Sequence, residues 1–240
     1  MVYQAHHDII DYQTIYDERL PVEFDGYRIF FISDIHRRNV NELTLRSISK
    51  NIDIVIIGGD LTEKGVPLIR TKDNIRRLKQ WDVPLYFVWG NNDYEAMPKK
   101  LYMLLDQENV TILMNTNKDI KKERAIISLI GIDCCKYGEP RLDFAWKHAK
   151  GNYFILLTHS PFAFTRLDPI TQNKIHTVLS GHTHGGQIRI FGIGPYKRGG
   201  LKKIQHTNVF VSEGYGYSKL PLRLGTKAEC HVLLFKNKRE

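Results

Sequence analysis

The chain has 240 residues, 42% of them hydrophobic and 25% charged, which suffices for one full core and excludes a disordered chain. No apolar run approaches the roughly 18 residues of a membrane span, and the acids and histidines of "MVYQAHHDIIDYQTIYDERL" interrupt the apolar stretch a signal peptide needs. The formal charge of +9 favours anionic partners, yet the lysines are scattered and read as a solvated surface rather than a nucleic-acid face; Cys134, Cys135 and Cys230 show no paired framework, so a reducing, cytoplasmic compartment is expected.

Residues 1–23 precede the first clear pattern and are expected to form an N-terminal extension or an edge strand. Residues 24–240 read as one domain, since no linker divides them. "RIFFIS" (28–33), "DIVIIGG" (53–59) and "PLYFVWG" (84–90) are short, apolar and rich in β-branched or aromatic residues, which predicts buried strands. Between them, residues 41–50 and 69–80 carry helical spacing, with Leu43, Ile48, Ile75 and Leu78 as expected core contacts. Such a β-α-β-α-β series argues for a largely parallel sheet flanked by helices. "VTILMN" (110–115) and "AIISLIGI" (125–132) are expected strands joined by a solvated turn, "TNKDIKKER" (116–124). Residues 139–150 look helical, and "NYFILLTHS" (152–160) and "HTVLS" (176–180) return to strands. After Gly181, "QIRIFG", "NVFVSEG" and "CHVLLFK" alternate and are spaced by glycine, which predicts a second sheet rich in antiparallel pairs. The basic segment "PYKRGGLKK" (195–203) reads first as a solvated hairpin, with anionic-substrate binding as its alternative.

Open α/β sheets bind ligands at the carboxyl ends of their strands. Here those ends read Ser33-Asp34-Ile35-His36, Gly58-Gly59-Asp60, Gly90-Asn91-Asn92-Asp93, Thr158-His159 and Gly181-His182-Thr183-His184. Each is ordinary alone: a Gly-Asp pair is commonly a turn, and a single histidine is more often a hydrogen-bonded core residue. Five strand ends that each deliver a carboxylate, amide or imidazole to one edge point to a divalent-metal site. Asp34 and Asp60 would repel each other if buried together without cations. Gly59, Gly181, Gly185 and Gly186 are expected to supply positive-φ turns and close backbone approach.

On these residues the sequence resembles the calcineurin-like metallophosphoesterases, whose motifs it matches from about residue 24 onward in Asp34-x-His36, Gly59-Asp60, Gly90-Asn91, His159 and Gly181-His182-x-His184. "GHTHGGQ" (181–187) with "LPLRLG" (220–225) is similar to a bacterial branch that includes the UDP-2,3-diacylglucosamine hydrolase-type enzymes. The resemblance implies a four-layer α/β-β/α sandwich of two mixed sheets with flanking helices, the metallo-dependent phosphatase fold, around two divalent ions. It implies that Asp34, His36 and His184 hold the first ion, that Asn91, His159 and His182 hold the second, and that Asp60 bridges them. The oxygen and nitrogen donors suit manganese first, with iron and zinc as alternatives. The implied activity is hydrolysis of a phosphoric ester by a hydroxide bridging the two metals.

Much of the family reads Gly-Asn-His-Asp or Gly-Asn-His-Glu where this chain has Asn92, followed by Asp93 as an orienting group. An amide donates hydrogen bonds but supplies no acid, and general acid catalysis is typically worth about 10²- to 10⁴-fold. Three readings stay open. The substrate is a phosphodiester or pyrophosphate whose leaving group departs readily; or Arg37, with Arg38, contacts the phosphate; or the chain is a weakly active metal-binding scaffold. The expected partner is a phosphorylated small molecule or a lipid-linked substrate. A nuclease or cyclic-nucleotide phosphodiesterase is the alternative the positive charge motivates.

Overall fold

A short apolar run becomes a buried strand when both of its faces find a core. In the computed structural model, which describes residues 1–238, such runs build two six-stranded sheets. In chain order the strands are β1 (Asp8–Tyr16), β2 (Arg28–Ile32), β3 (Ile54–Ile57), β4 (Leu85–Phe87), β5 (Thr111–Ile112), β6 (Thr116–Lys122), β7 (Ala125–Gly131), β8 (Tyr153–Leu157), β9 (Thr177–Ser180), β10 (Gly200–Ile204), β11 (Thr207–Val211) and β12 (Ala228–Lys236). The first sheet runs β1-β12-β2-β3-β4-β5 and the second β10-β11-β9-β8-β7-β6.

Alternation sorts the apolar residues between layers. Ile29, Phe31, Ile54 and Ile56 of the first sheet face Ile155, Leu157, Leu179 and Phe210 of the second. Their neighbours Phe30, Ile32, Val55 and Ile57 turn outward onto Ile75, Leu78, Leu101 and Leu105 of the helices Leu68–Leu78 and Pro98–Gln107. Ile130, Leu156 and Val178 pack outward on Ala145, Ala163 and Phe164. Three cores separate four layers, the α/β-β/α sandwich of two mixed sheets that the resemblance implied. Among the described residues, no helix is long and apolar enough to cross a membrane.

Several expectations change. Residues 116–124 are not a solvated turn: Thr116–Lys122 form β6, antiparallel to β7, and only Glu123 and Arg124 remain between the strands. Its charge misleads because β6 is an edge strand, where lysines blunt an unpaired edge. "VTILMN" contributes only β5, which extends the first sheet beside β4. "CHVLLFK" lies within β12, which enters the first sheet, parallel to β1 and antiparallel to β2, while β11 runs parallel to β9. Alternation reports a strand's faces, not the sheet it joins. "QIRIFG" holds only isolated bridges. The helices expected at 41–50 and 139–150 shorten to Glu42–Arg46 and Leu142–Trp146, leaving Leu43 exposed; Ile48, Ile75 and Leu78 are buried. At the chain's start, β1 pairs with β12 along its whole length, and Asp8 fastens it by accepting from Arg38 Nη2 at 2.5 Å and the Tyr215 hydroxyl at 2.6 Å.

Candidate metal centre

Strands that are apolar on both faces place their polar residues at their ends. Asp34 and His36 follow β2, Asp60 follows β3, and Asn91, Asn92 and Asp93 follow β4; His159 follows β8, and His182 and His184 follow β9. Both sheets therefore deliver side chains to one edge of the sandwich. Five of the seven candidate ligands have positive φ: Asp34 (54°), His36 (54°), Asp60 (51°), His182 (73°) and His184 (49°). L side chains rarely adopt that region, and such residues collect at functional sites. Gly59 (φ 86°) turns the chain into Asp60, and a Cβ there would lie 2.6 Å from His159 Nδ1. Gly185 and Gly186 also have positive φ, but Gly181 does not; it is needed because a Cβ would lie 2.4 Å from Asp34 Oδ2.

The side chains meet closely. His36 Nε2 lies 3.1 Å from His184 Nε2 and 3.8 Å from Asp60 Oδ2. His184 Nε2 lies 3.4 Å from Asp34 Oδ1, His159 Nε2 lies 3.2 Å from Asp60 Oδ2, and His182 Nδ1 faces His159 Nε2 at 3.1 Å. Asp34, His36 and His184 form one donor group and Asp34, Asp60 and His159 a second, each with ligand atoms within 4.8 Å of one another. Asp34 belongs to both groups, and Asp60 approaches an imidazole of each. His159 Nδ1 pairs with the Gly58 carbonyl at 2.9 Å; donating that proton leaves Nε2 with a free lone pair facing the centre. His36 Nδ1 sits 3.0 Å from Glu63 Oε2, an ion-pair distance without the alignment of a hydrogen bond.

The charges at the centre act on one another at close range. Burial works against ionisation of Asp34, but the His184, His159 and His36 imidazoles outweigh it and hold the carboxyl below its usual range. Asp60 is likewise buried, yet His159 holds it far below that range. Burial pulls His159 down, but Asp60 dominates and pushes it up to about 10. His184 is pushed down to about 3 by burial, and His182 is lowered by burial and by His159. Protons on these imidazoles compete with a divalent cation for the same lone pairs, since a ligating imidazole is neutral.

The donor set fits divalent ions. Asn91 Oδ1 is buried without a hydrogen-bond partner among the described residues, a condition costing about 1–3 kcal/mol unless something positive meets it. The two imidazole pairs face nitrogen to nitrogen, which calls for a shared proton or a cation.

Asn92, Asp93 and Arg37 take three different places. Asn92 donates to Asp60 twice, from its N–H to Oδ1 and from Nδ2 to Oδ2, both at 2.7 Å. Asp93 is fully buried and accepts from three backbone N–H groups. Arg37 pairs with Glu63 and is outside the cleft of about 240 Å³ lined by His36, Asp60, Asn91, Asn92, His182, His184, Gln187, Tyr196 and Ser218 among others. Two contributors were not foreseen. Glu63, three residues beyond Asp60, backs His36. Arg223 of "LPLRLG" is buried behind His184, its Nη2 donating to the Glu213, Gly214 and Gly216 carbonyls at 2.6–2.9 Å.

Residues 27–186, a span that holds all seven candidate ligands, match the family profile described as calcineurin-like phosphoesterase. The chain belongs to the calcineurin-like phosphoesterases. As one of them it is a metal-dependent phosphoric ester hydrolase. It is similar to YpbG of Bacillus subtilis (strain 168), 39% identical over 207 residues that cover 85% of this chain and 79% of that protein. It is also similar to a transmembrane protein with metallophosphoesterase domain from Danio rerio, 31% identical over 91% of this chain but only 55% of the relative. Among solved structures, a 5'-nucleotidase precursor from Thermus thermophilus shares the fold, with a TM-score of 0.53 at 11% identity over 87% of this chain and 54% of that one.

Proposed function

We propose that this calcineurin-like phosphoesterase hydrolyses a phosphodiester or pyrophosphate-type bond, in a phosphorylated small molecule or a lipid-linked substrate, at a dinuclear centre. Asp34, His36 and His184 would hold one ion, and Asn91, His159 and His182 the other, with Asp60 between them. Bound divalent ions supply positive charge for the phosphoryl oxygens and lower the pKa of a water so that it attacks near neutral pH. The protein's part is positional: Gly58 fixes the tautomer of His159, and Asn92 holds both oxygens of Asp60.

The observation that carries the substrate class is the engagement of Asn92. Its two donors are directed at Asp60, and the imidazoles lining the cleft are His36, His182 and His184, all in the donor set. Among the described residues, no imidazole lining the cleft is spare to protonate a poor leaving group. An alkyl monoester needs that proton far more than an aryl diester or a pyrophosphate does. The test is turnover of an aryl phosphodiester, pyrophosphate and an alkyl monoester by chelated protein and by protein reloaded with manganese, iron or zinc. Reloaded protein is expected to cleave the first two and chelated protein none. Alkyl monoester turnover equal to the diester rate would refute the substrate class, and turnover indifferent to chelation would refute the metal centre.

A further inference from the structure

Beside the cleft, residues 188–196 fold into a finger whose tip has no core to join. Ile190 and Ile193 exchange two backbone hydrogen bonds at 2.9 Å, and the two residues between them, Phe191 (φ 50°) and Gly192 (φ 79°), both have positive φ. A two-residue turn of this kind favours Asn-Gly and disfavours an aromatic residue at its first position. Yet phenylalanine stands there and is 100% exposed, flanked by Ile190 at 61% and Ile193 at 78%, with Leu220 at 62% on the neighbouring loop. The finger is braced from within. Arg189 donates to the Gly185, Gly192 and Tyr196 carbonyls, its backbone N–H bonds Leu224 O at 2.8 Å, and Gln187 clasps Ser218 and Leu220. The branch motifs "GGQ" and "LPLRLG" thus support the finger, which the metal chemistry leaves unexplained.

The free charge nearest the apolar tip is cationic: exposed Lys197 follows the finger's base, whereas Arg189 is spent bracing the finger, Arg198 pairs with Glu213 at 3.2 Å, and Lys202 and Lys203 lie further along β10. Lys219, also exposed, precedes Leu220. At the finger's base, Pro195 and Tyr196 line the metal cleft.

We infer that this finger docks the protein on an anionic lipid bilayer, Phe191, Ile190 and Ile193 entering the interface while the exposed Lys197 and Lys219 beside it meet acidic headgroups. Apolar residues supported by cations are the combination such interfaces select. A tip docked there brings the cleft to the headgroups. The inference concerns binding and does not depend on the reaction proposed above.

The test is co-sedimentation of the full chain with vesicles of phosphatidylcholine alone and of phosphatidylcholine with phosphatidylglycerol. Binding is expected to the acidic vesicles, weakening with salt. Phe191→Asn, which supplies the preferred Asn-Gly turn, is expected to keep or raise the melting temperature while reducing partitioning about tenfold or more, the worth of one large buried apolar side chain. Ile193→Ser is expected to act in the same direction. Absence of binding to acidic vesicles, or equal binding by wild type and Phe191→Asn, overturns the inference. So does a dimer seen by sedimentation velocity that Phe191→Asn dissolves, since the finger would then serve a second copy of the chain.

Discussion

Asp93 sits behind the centre and accepts from the backbone N–H groups of Asp60 at 2.8 Å, Gly90 at 2.9 Å and Thr62 at 3.0 Å. It thereby binds the turn after β3 to the turn after β4, the two segments that carry Asp60 and Asn91. Burial and then the Asp60 charge push its pKa up to about 7, while the Thr62 and Gly90 N–H groups oppose them. Asp93→Ala leaves three buried donors unpaired and is expected to cost roughly 3 kcal/mol or more, with weaker metal binding. Asp93→Asn keeps one acceptor oxygen and should fall between. Urea unfolding of chelated protein measures both, and an alanine variant as stable as wild type would show that Asp93 does not hold these turns. At this scale the candidate ligands were legible because each stands just beyond an apolar run, four of them (Asp60, Asn91, His182 and His184) next to a glycine. Glu63 and Arg223 were not, because nothing local distinguishes a carboxylate that backs an imidazole, or a buried arginine, from the exposed kind. Arg37 shows the converse: its place after His36 suggested phosphate, whereas it pairs with Glu63.

At the scale of elements, β2, β3, β4, β8 and β9 were legible because burial on both faces makes a continuous apolar run. β6 and β12 were not: β6, an edge strand, satisfies its backbone on one side only and carries the polar sequence of a turn, and β12, inside the first sheet between β1 and β2, gives no local sign of which sheet it joins. The pairing of β8 with β9 has its own pH-sensitive element. His176, just before β9, accepts from the Phe154 N–H of β8 at 3.1 Å through Nδ1 and packs on Tyr153 with ring centroids 4.5 Å apart. Burial, and then Arg19, push its pKa down to about 4. A folded-state pKa below the unfolded value near 6.5 means that the unfolded chain takes the proton first as pH falls. The contribution is therefore intact above about pH 6.5 and is lost on descending toward pH 4. His176→Gln retains an acceptor without the titration. Chemical unfolding at steps between those pH values should show wild type losing stability more steeply than the variant. Parallel curves would mean that His176 titrates normally in the folded state.

Across the whole molecule, the candidate ligands come from both sheets: Asp34, His36, Asp60 and Asn91 from the first, His159, His182 and His184 from the second. The sheets otherwise meet through the apolar core between them, and at the centre they bring together Asp34 and Asp60, both almost wholly buried. Buried carboxylates are costly until a cation or proton compensates them. Ions at this edge would therefore act as ties between the layers, and an ion that binds only the folded chain stabilises all of it. At a free metal concentration 100 times Kd the gain is about 2.7 kcal/mol, which for a chain of this size shifts Tm by roughly 5–10 °C. Thermal unfolding of chelated and manganese-loaded protein should differ by that amount, and His159→Ala should shrink the difference by removing a donor of the second sheet. The chelated variant must first be shown to fold, because His159 also bonds the Gly58 carbonyl. If manganese, iron and zinc all leave the wild-type Tm unmoved, the seven side chains do not form the metal tie between the sheets, whatever activity the protein proves to have.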